Sequence, residues 1–137
     1  MPSKKEYLQL NGASIRYEDT RNKTSQPAIV LFHGNAFSLD NWEEIETIQK
    51  LSEEGYRVCA IDLPVGAGSK SSKFDPMKYP RVSDLAPVIE EIFEKLGIKD
   101  AIIVGPSMGG AYALGYSITH EKTLSSRSYR PESWPIG

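Results

Sequence analysis

Ile102-Ile103-Val104-Gly105-Pro106-Ser107-Met108-Gly109-Gly110-Ala111 is the stretch that decides how this chain is read. A short apolar run meets Gly-x-Ser-x-Gly, and small residues follow directly. The apolar run fits a strand covered on both faces of a parallel sheet, and the small residues fit the first turn of a helix packed closely against it. Between them a serine is placed on a turn too sharp for bulky neighbours, which holds a nucleophilic hydroxyl out at the end of a sheet. Gly105 and Gly109 are the positions where a side chain would collide with the adjacent strand and helix. The helix behind Ser107 aims amide hydrogens at the place where negative charge would develop.

Upstream, Tyr7 to Leu10, the turn Asn11-Gly12, and Ile15 to Tyr17 predict a β-hairpin. Ala28 to Phe32 and Arg57 to Ile61 predict two further buried strands. Between them Trp42, Ile45, Ile48 and Leu51 fall on one helical stripe that ends before Gly55. Asp62 to Pro80 reads as a long loop. Ser83 is the expected cap of a helix carrying Leu85, Val88, Ile89, Ile92, Phe93 and Leu96 at helical spacing, with Pro87 in its first turn and Gly97 at its end. Strands alternating with helices after a hairpin predict an α/β fold with a mostly parallel sheet.

Composition excludes several classes. The 137 residues suit one domain, 39% hydrophobic and 25% charged, with a net charge of −2 that offers no basic patch for nucleic acid. The N-terminus lacks a signal-peptide pattern and the apolar runs are too short to span a bilayer, so a cytoplasmic protein with no membrane partner is expected. The single cysteine, Cys59, sits in a strand-like run and is expected to be a buried apolar residue. Gly66 to Ser71 lacks the Gly-Lys-Ser order of a phosphate-binding loop. No metal site and no cofactor is expected. Tyr7, Tyr17, Tyr56, Trp42 and Phe93 are expected in or near the core, and Lys70 and Lys73 as solvated loop charges.

Three contexts strengthen the motif around Ser107: a buried strand before it, a small-residue helix after it, and Phe32-His33-Gly34-Asn35 at the end of an earlier buried strand. With Phe37-Ser38, Trp42, Thr47, Leu51, Gly55-Tyr56-Arg57, Ala60 to Pro64, Ser69-Lys70 and Pro106-Ser107, the chain resembles the N-terminal half of an α/β-hydrolase-fold protein, over residues 7 to 118. It is most similar to the small CCG1-interacting-factor-B-like serine hydrolases. The resemblance implies Ser107 as nucleophile, the backbone N–H groups of Met108 and Asn35 as an oxyanion hole, and His33 and Gly34 as structural supports. Oxyanion donors are typically worth about 3–4 kcal/mol each in the transition state. It further implies a small ester or acyl substrate and an acyl-enzyme intermediate. His33 to Phe37 is also similar to haloalkane dehalogenases, but their nucleophile is an aspartate and Ser107 stands here.

The departures from the family pattern set the remaining expectations. In this fold the acid and histidine of the triad follow the serine in that order. After Ser107 stand His120, Glu121 and Glu132, with the histidine ahead of both acids. His120 is expected about 18 Å along the helix from Ser107, as a solvated helix-end residue. The triad acid and base are therefore unknown in this chain, and loss of a triad histidine costs on the order of 10⁶ in turnover. The glycines of Asp62-Leu63-Pro64-Val65-Gly66-Ala67-Gly68 fall one position later than the family's usual order, which puts the tight turn there in question. Residues 1–118 are expected as a partial α/β-hydrolase domain, truncated after the elbow helix, and 119–137 as an irregular tail. With no further strand, Ala101 to Val104 is expected as an open sheet edge prone to self-association or to pairing with a complementing segment. A non-catalytic interaction module acting through that edge is the alternative reading.

Overall fold

The structure, a computed structural model, describes residues 3–74, 78–79, 81–120 and 128–129. The hairpin joins β1 (Lys5–Leu10) to β2 (Ala13–Asp19) through Asn11 and Gly12, both at positive φ. That pairing of left-handed residues matches the strand twist of a two-residue turn. β3 (Ala28–Phe32), β4 (Val58–Ile61) and β5 (Ala101–Val104) form the parallel centre, and a two-residue β6 (Ser128–Tyr129) follows. The sheet runs β1-β2-β4-β3-β5-β6. The β1–β2 and β2–β4 pairs are antiparallel and the rest parallel.

The all-apolar strands are explained by their two covered faces. Val30 and Phe32 of β3 and Cys59 and Ile61 of β4 face one cluster with the helix α3 (Ala86–Leu96). Ile29 and Leu31 and, from β4, Val58 and Ala60 face a second with Leu39 and Ile48 of the helices α1 (Leu39–Glu44) and α2 (Thr47–Glu53). Each such Ile, Leu or Phe contributes about 1.5–3 kcal/mol by leaving water. The helix α4 (Met108–His120) joins the first cluster through Ala113 and Tyr116, whose ring meets Phe93 edge-on at 5.2 Å.

Four local expectations are corrected. The single helix over residues 42–51 is two, because Glu46 adopts φ 64° and breaks the stripe, leaving Ile45 62% exposed. Ser83 caps nothing at the start of α3. A 3₁₀ turn over Val82–Leu85 precedes that helix, and Asp84 accepts the Arg81 N–H at 2.9 Å. Tyr7 points outward, on the solvent face of an edge strand. β5 is not an open edge along its whole length, since Ile103 pairs with Ser128 and Val104 with Tyr129. α4 runs to His120, and most of 119–137 lies outside the described residues.

Candidate functional site

Ser107 sits between β5 and α4 with φ 53°, a left-handed conformation that a non-glycine residue adopts at a cost. The turn is held by close approach of backbones. A Cβ on Gly105 would lie 2.4 Å from the carbonyl carbon of Gly109, and one on Gly109 would lie 2.7 Å from the His33 carbonyl oxygen. A Cβ on Gly110 would lie 2.5 Å from the Gly105 oxygen. Gly110 was read from sequence only as part of a small-residue run, although the consecutive Gly109-Gly110 pair was the available signal. Gly109 donates to Pro106 O at 3.0 Å and Ala111 to Ser107 O at 3.1 Å. Among the described residues the N–H of Met108 has no acceptor, as expected for the first residue of a helix, and neither has that of Asn35.

Asn35 is brought to Met108 by two loops. His33 is buried, and its Nε2 accepts the Leu63 N–H at 2.8 Å, so the ring proton lies on Nδ1 and donates to Gly34 O at 2.8 Å. Burial pushes the His33 pKa down and keeps the ring neutral. Both nitrogens are therefore engaged: Nε2 ties the loop after β3 to the loop after β4, and Nδ1 fixes the ring within its own loop. Gly34 has the Phe37 ring 3.2 Å and Pro106 O 3.8 Å from where its Cβ would be. Gly68 donates to Asn35 O at 3.0 Å, and a Cβ on Gly68 would lie 2.5 Å from Ala36 O. Gly66, at φ 95°, fits between Asn35 O and the Met108 side chain. The late glycines of this loop thus serve close packing, and the Ser69 N–H reaches Gly66 O at 3.4 Å to close a turn.

A buried carboxylate that sequence reasoning passed over supports these loops. Asp62, fully buried at the end of β4, accepts from Leu39 N at 2.6 Å, Arg16 Nε at 3.0 Å and Lys70 N at 3.1 Å. Arg16 Nη2 and Lys70 Nζ both donate to Asp40 Oδ2, at 2.7 and 2.8 Å. Burial works to raise the Asp40 pKa, but the Lys70 and Arg16 donors outweigh it and hold the carboxyl well below the ordinary range. Lys70 is exposed, as expected of a loop charge, and its ammonium also pairs with Asp40. The available signal was an aspartate directly following an all-apolar strand, where a buried charge demands partners.

The sequence holds two histidines. His33 is committed as above, and His120 is the last residue of α4, about 18 Å along the helix from its start at 1.5 Å per residue. Glu121 and Glu132 lie outside the described residues. Among the described residues no cluster of His, Cys, Asp or Glu has metal-binding geometry, and no helix is long and apolar enough to cross a membrane. Beside the elbow an apolar cleft of about 280 Å³ is lined by Gly34, Phe37, Trp42, Ile45 and Pro106. Among the described residues this arrangement joins a left-handed serine to the Met108 N–H, which has no acceptor, with Asn35 held nearby through Gly66.

Several known proteins are similar to this chain. Residues 27–126 match a family model described as the α/β hydrolase fold. Protein ABHD14A of Mus musculus is 36% identical over 96 residues, which cover 70% of this chain and 37% of that protein. ABHD14B of Rattus norvegicus, named as a candidate protein-lysine deacylase, is 31% identical over 129 residues, 90% of this chain and 59% of that protein. A solved structure described as a predicted CIB-like hydrolase of Thermoplasma acidophilum superposes with a TM-score of 0.79 at 20% identity, over 94% of this chain and 65% of that one. The chain thus spans between about a third and three-fifths of the length of these two curated relatives.

Proposed function

This chain belongs to the α/β-hydrolase fold family, and on that premise we propose that Ser107 is the nucleophile of an acyl hydrolase acting on a small ester or other acyl carbonyl. The observation that carries this reading is the left-handed Ser107 at the turn between β5 and α4, beside the unengaged N–H groups of Asn35 and Met108. Strain of that kind persists only where surrounding structure enforces it, and here three glycine contacts enforce it.

In the proposed reaction Ser107 Oγ attacks the acyl carbonyl carbon while its proton passes to a base. The N–H groups of Asn35 and Met108 hold the resulting oxyanion, the leaving group departs protonated, and an acyl-serine remains. Water then attacks that ester, releasing the acid and restoring the hydroxyl. A relative named for lysine deacylation supports acyl carbonyls, esters and amides alike, as the substrate class. The proton acceptor comes from outside these described residues, since both His33 nitrogens are engaged and His120 sits at the far end of α4. Without a proton acceptor at Ser107, turnover would fall by on the order of 10⁶ relative to a complete triad.

The test is stoichiometric acylation by p-nitrophenyl acetate, read by peptide mass mapping of wild type and Ser107→Ala. One acetyl group on Ser107, slow to leave and absent from the variant, is the expected result. Acetyl groups scattered over lysines, with Ser107 unmodified, would refute the assignment.

A further inference from the structure

At the other end of the parallel strands a concavity of about 390 Å³ opens between the end of β2, the start of β4 and the last turn of α3. Four cationic residues line it: Arg21, Lys23, Arg57 and Lys95. Two of them are already neutralised. Arg57 Nε and Nη2 donate to the two oxygens of buried Asp19, at 3.1 and 2.7 Å, and Nη2 also reaches Leu96 O at 2.6 Å. The second contact offsets the partial negative charge at the end of α3. Arg21 Nη2 lies 2.6 Å from Glu6 Oε2. Lys23 and Lys95 are left exposed, and among the described residues neither has an ion-pair partner.

We propose that this concavity binds a small phosphate-bearing ligand. Two unpaired ammonium groups facing one hollow match the charge of a phosphate monoester dianion. Arg21 retains N–H groups beyond the one given to Glu6, and its planar fork suits phosphate oxygens. The volume lies at the lower end of the range for small-molecule sites. The concavity is shallow and its volume of about 390 Å³ holds a compact phosphate ester but not several residues of an extended acidic peptide, which favours the former. The site shares no residue with the Ser107 region and does not depend on how that region is read.

The experiment titrates the full chain with phenyl phosphate at low ionic strength, followed by phosphorus NMR. Saturable binding on the order of a millimolar or tighter is expected. The pair Lys23→Gln and Lys95→Gln is expected to weaken it about tenfold, the scale of two exposed charge contacts. Ser107→Ala, and the charge-matched pair Lys50→Gln and Lys78→Gln, should leave it unchanged. Circular dichroism of each variant verifies folding. Equal weakening by the control pair would mean non-specific attraction and overturn the proposal. So would absence of saturation, loss of binding in Ser107→Ala, or binding of oligoglutamate in preference to the phosphate ester.

Discussion

The two ends of the parallel strands are built by opposite means. At the end that carries Ser107, shape comes from backbone: Gly105, Gly109 and Gly110 allow contacts no Cβ could share, and two N–H groups have no acceptor among the described residues. At the other end, shape comes from side chains. Arg57 bridges Asp19 and the last carbonyls of α3 and thereby closes the polar groups against one another. Both ends carry a left-handed non-glycine residue, Ser107 at φ 53° and Arg21 at φ 56°, but only the first is enclosed by glycine backbone contacts.

The largest expected effect breaks the backbone-built end. Gly105→Ala places a Cβ 2.4 Å from the Gly109 carbonyl carbon, and a loss of about 4 kcal/mol or more is expected on chemical denaturation. Gly97→Ala sharpens the comparison, because Gly97 has positive φ but open space around it. Only the left-handed penalty of about 1–2 kcal/mol applies there. Equal losses at both positions would show that close approach does not hold the elbow.

Next in size is the buried carboxylate beneath the loops. Asp62→Ala leaves Arg16 Nε and the N–H groups of Leu39 and Lys70 without their acceptor, though Arg16 keeps Asp40, and about 3 kcal/mol of stability should be lost. A variant within about 0.5 kcal/mol of wild type would mean that solvent replaces these contacts without penalty.

The side-chain-built end is tested by acid. Burial opposes ionisation of Asp19, but the Arg57 donors and the Arg21 N–H outweigh it and lower its pKa. The folded state therefore binds that proton more weakly than the unfolded chain. The stability Asp19 contributes is full above about pH 4 and is lost as pH falls further, through its folded-state value. Asp40 acts with the same sign. Asp19→Asn should flatten the fall in thermal unfolding temperature below that pH, and an unchanged slope would remove Asp19 from the account.

The smallest effect is a gain. Ser107→Gly relieves the φ 53° conformation and should stabilise the protein by at most about 1 kcal/mol, part of that being offset by the entropy glycine adds to the unfolded chain. Destabilisation would mean that Ser107 is not strained in the folded state.

The parallel centre of the sheet was legible in the sequence because β3, β4 and β5 are apolar at every position, as strands covered on both faces must be. The elbow was legible because glycine spacing reports backbone crowding directly. What escaped notice depends on distant partners. Glu46 ends a helix in a left-handed conformation that nothing in Ile45-Glu46-Thr47 announces. Asp62 gathers donors from β2, α1 and the loop at Lys70, so its role exists only once those are folded together. Ser128–Tyr129 carry no strand pattern because two residues suffice to pair with Ile103 and Val104.

The proposed reading of Ser107 as nucleophile places its proton acceptor outside the described residues. Fluorophosphonate labelling followed by intact mass, with and without added imidazole, addresses it directly in wild type and Ser107→Ala. The account predicts slow modification of Ser107 that free imidazole accelerates, and none in the variant. Rapid labelling of Ser107 without imidazole, or no labelling of the folded protein with it, would contradict the account.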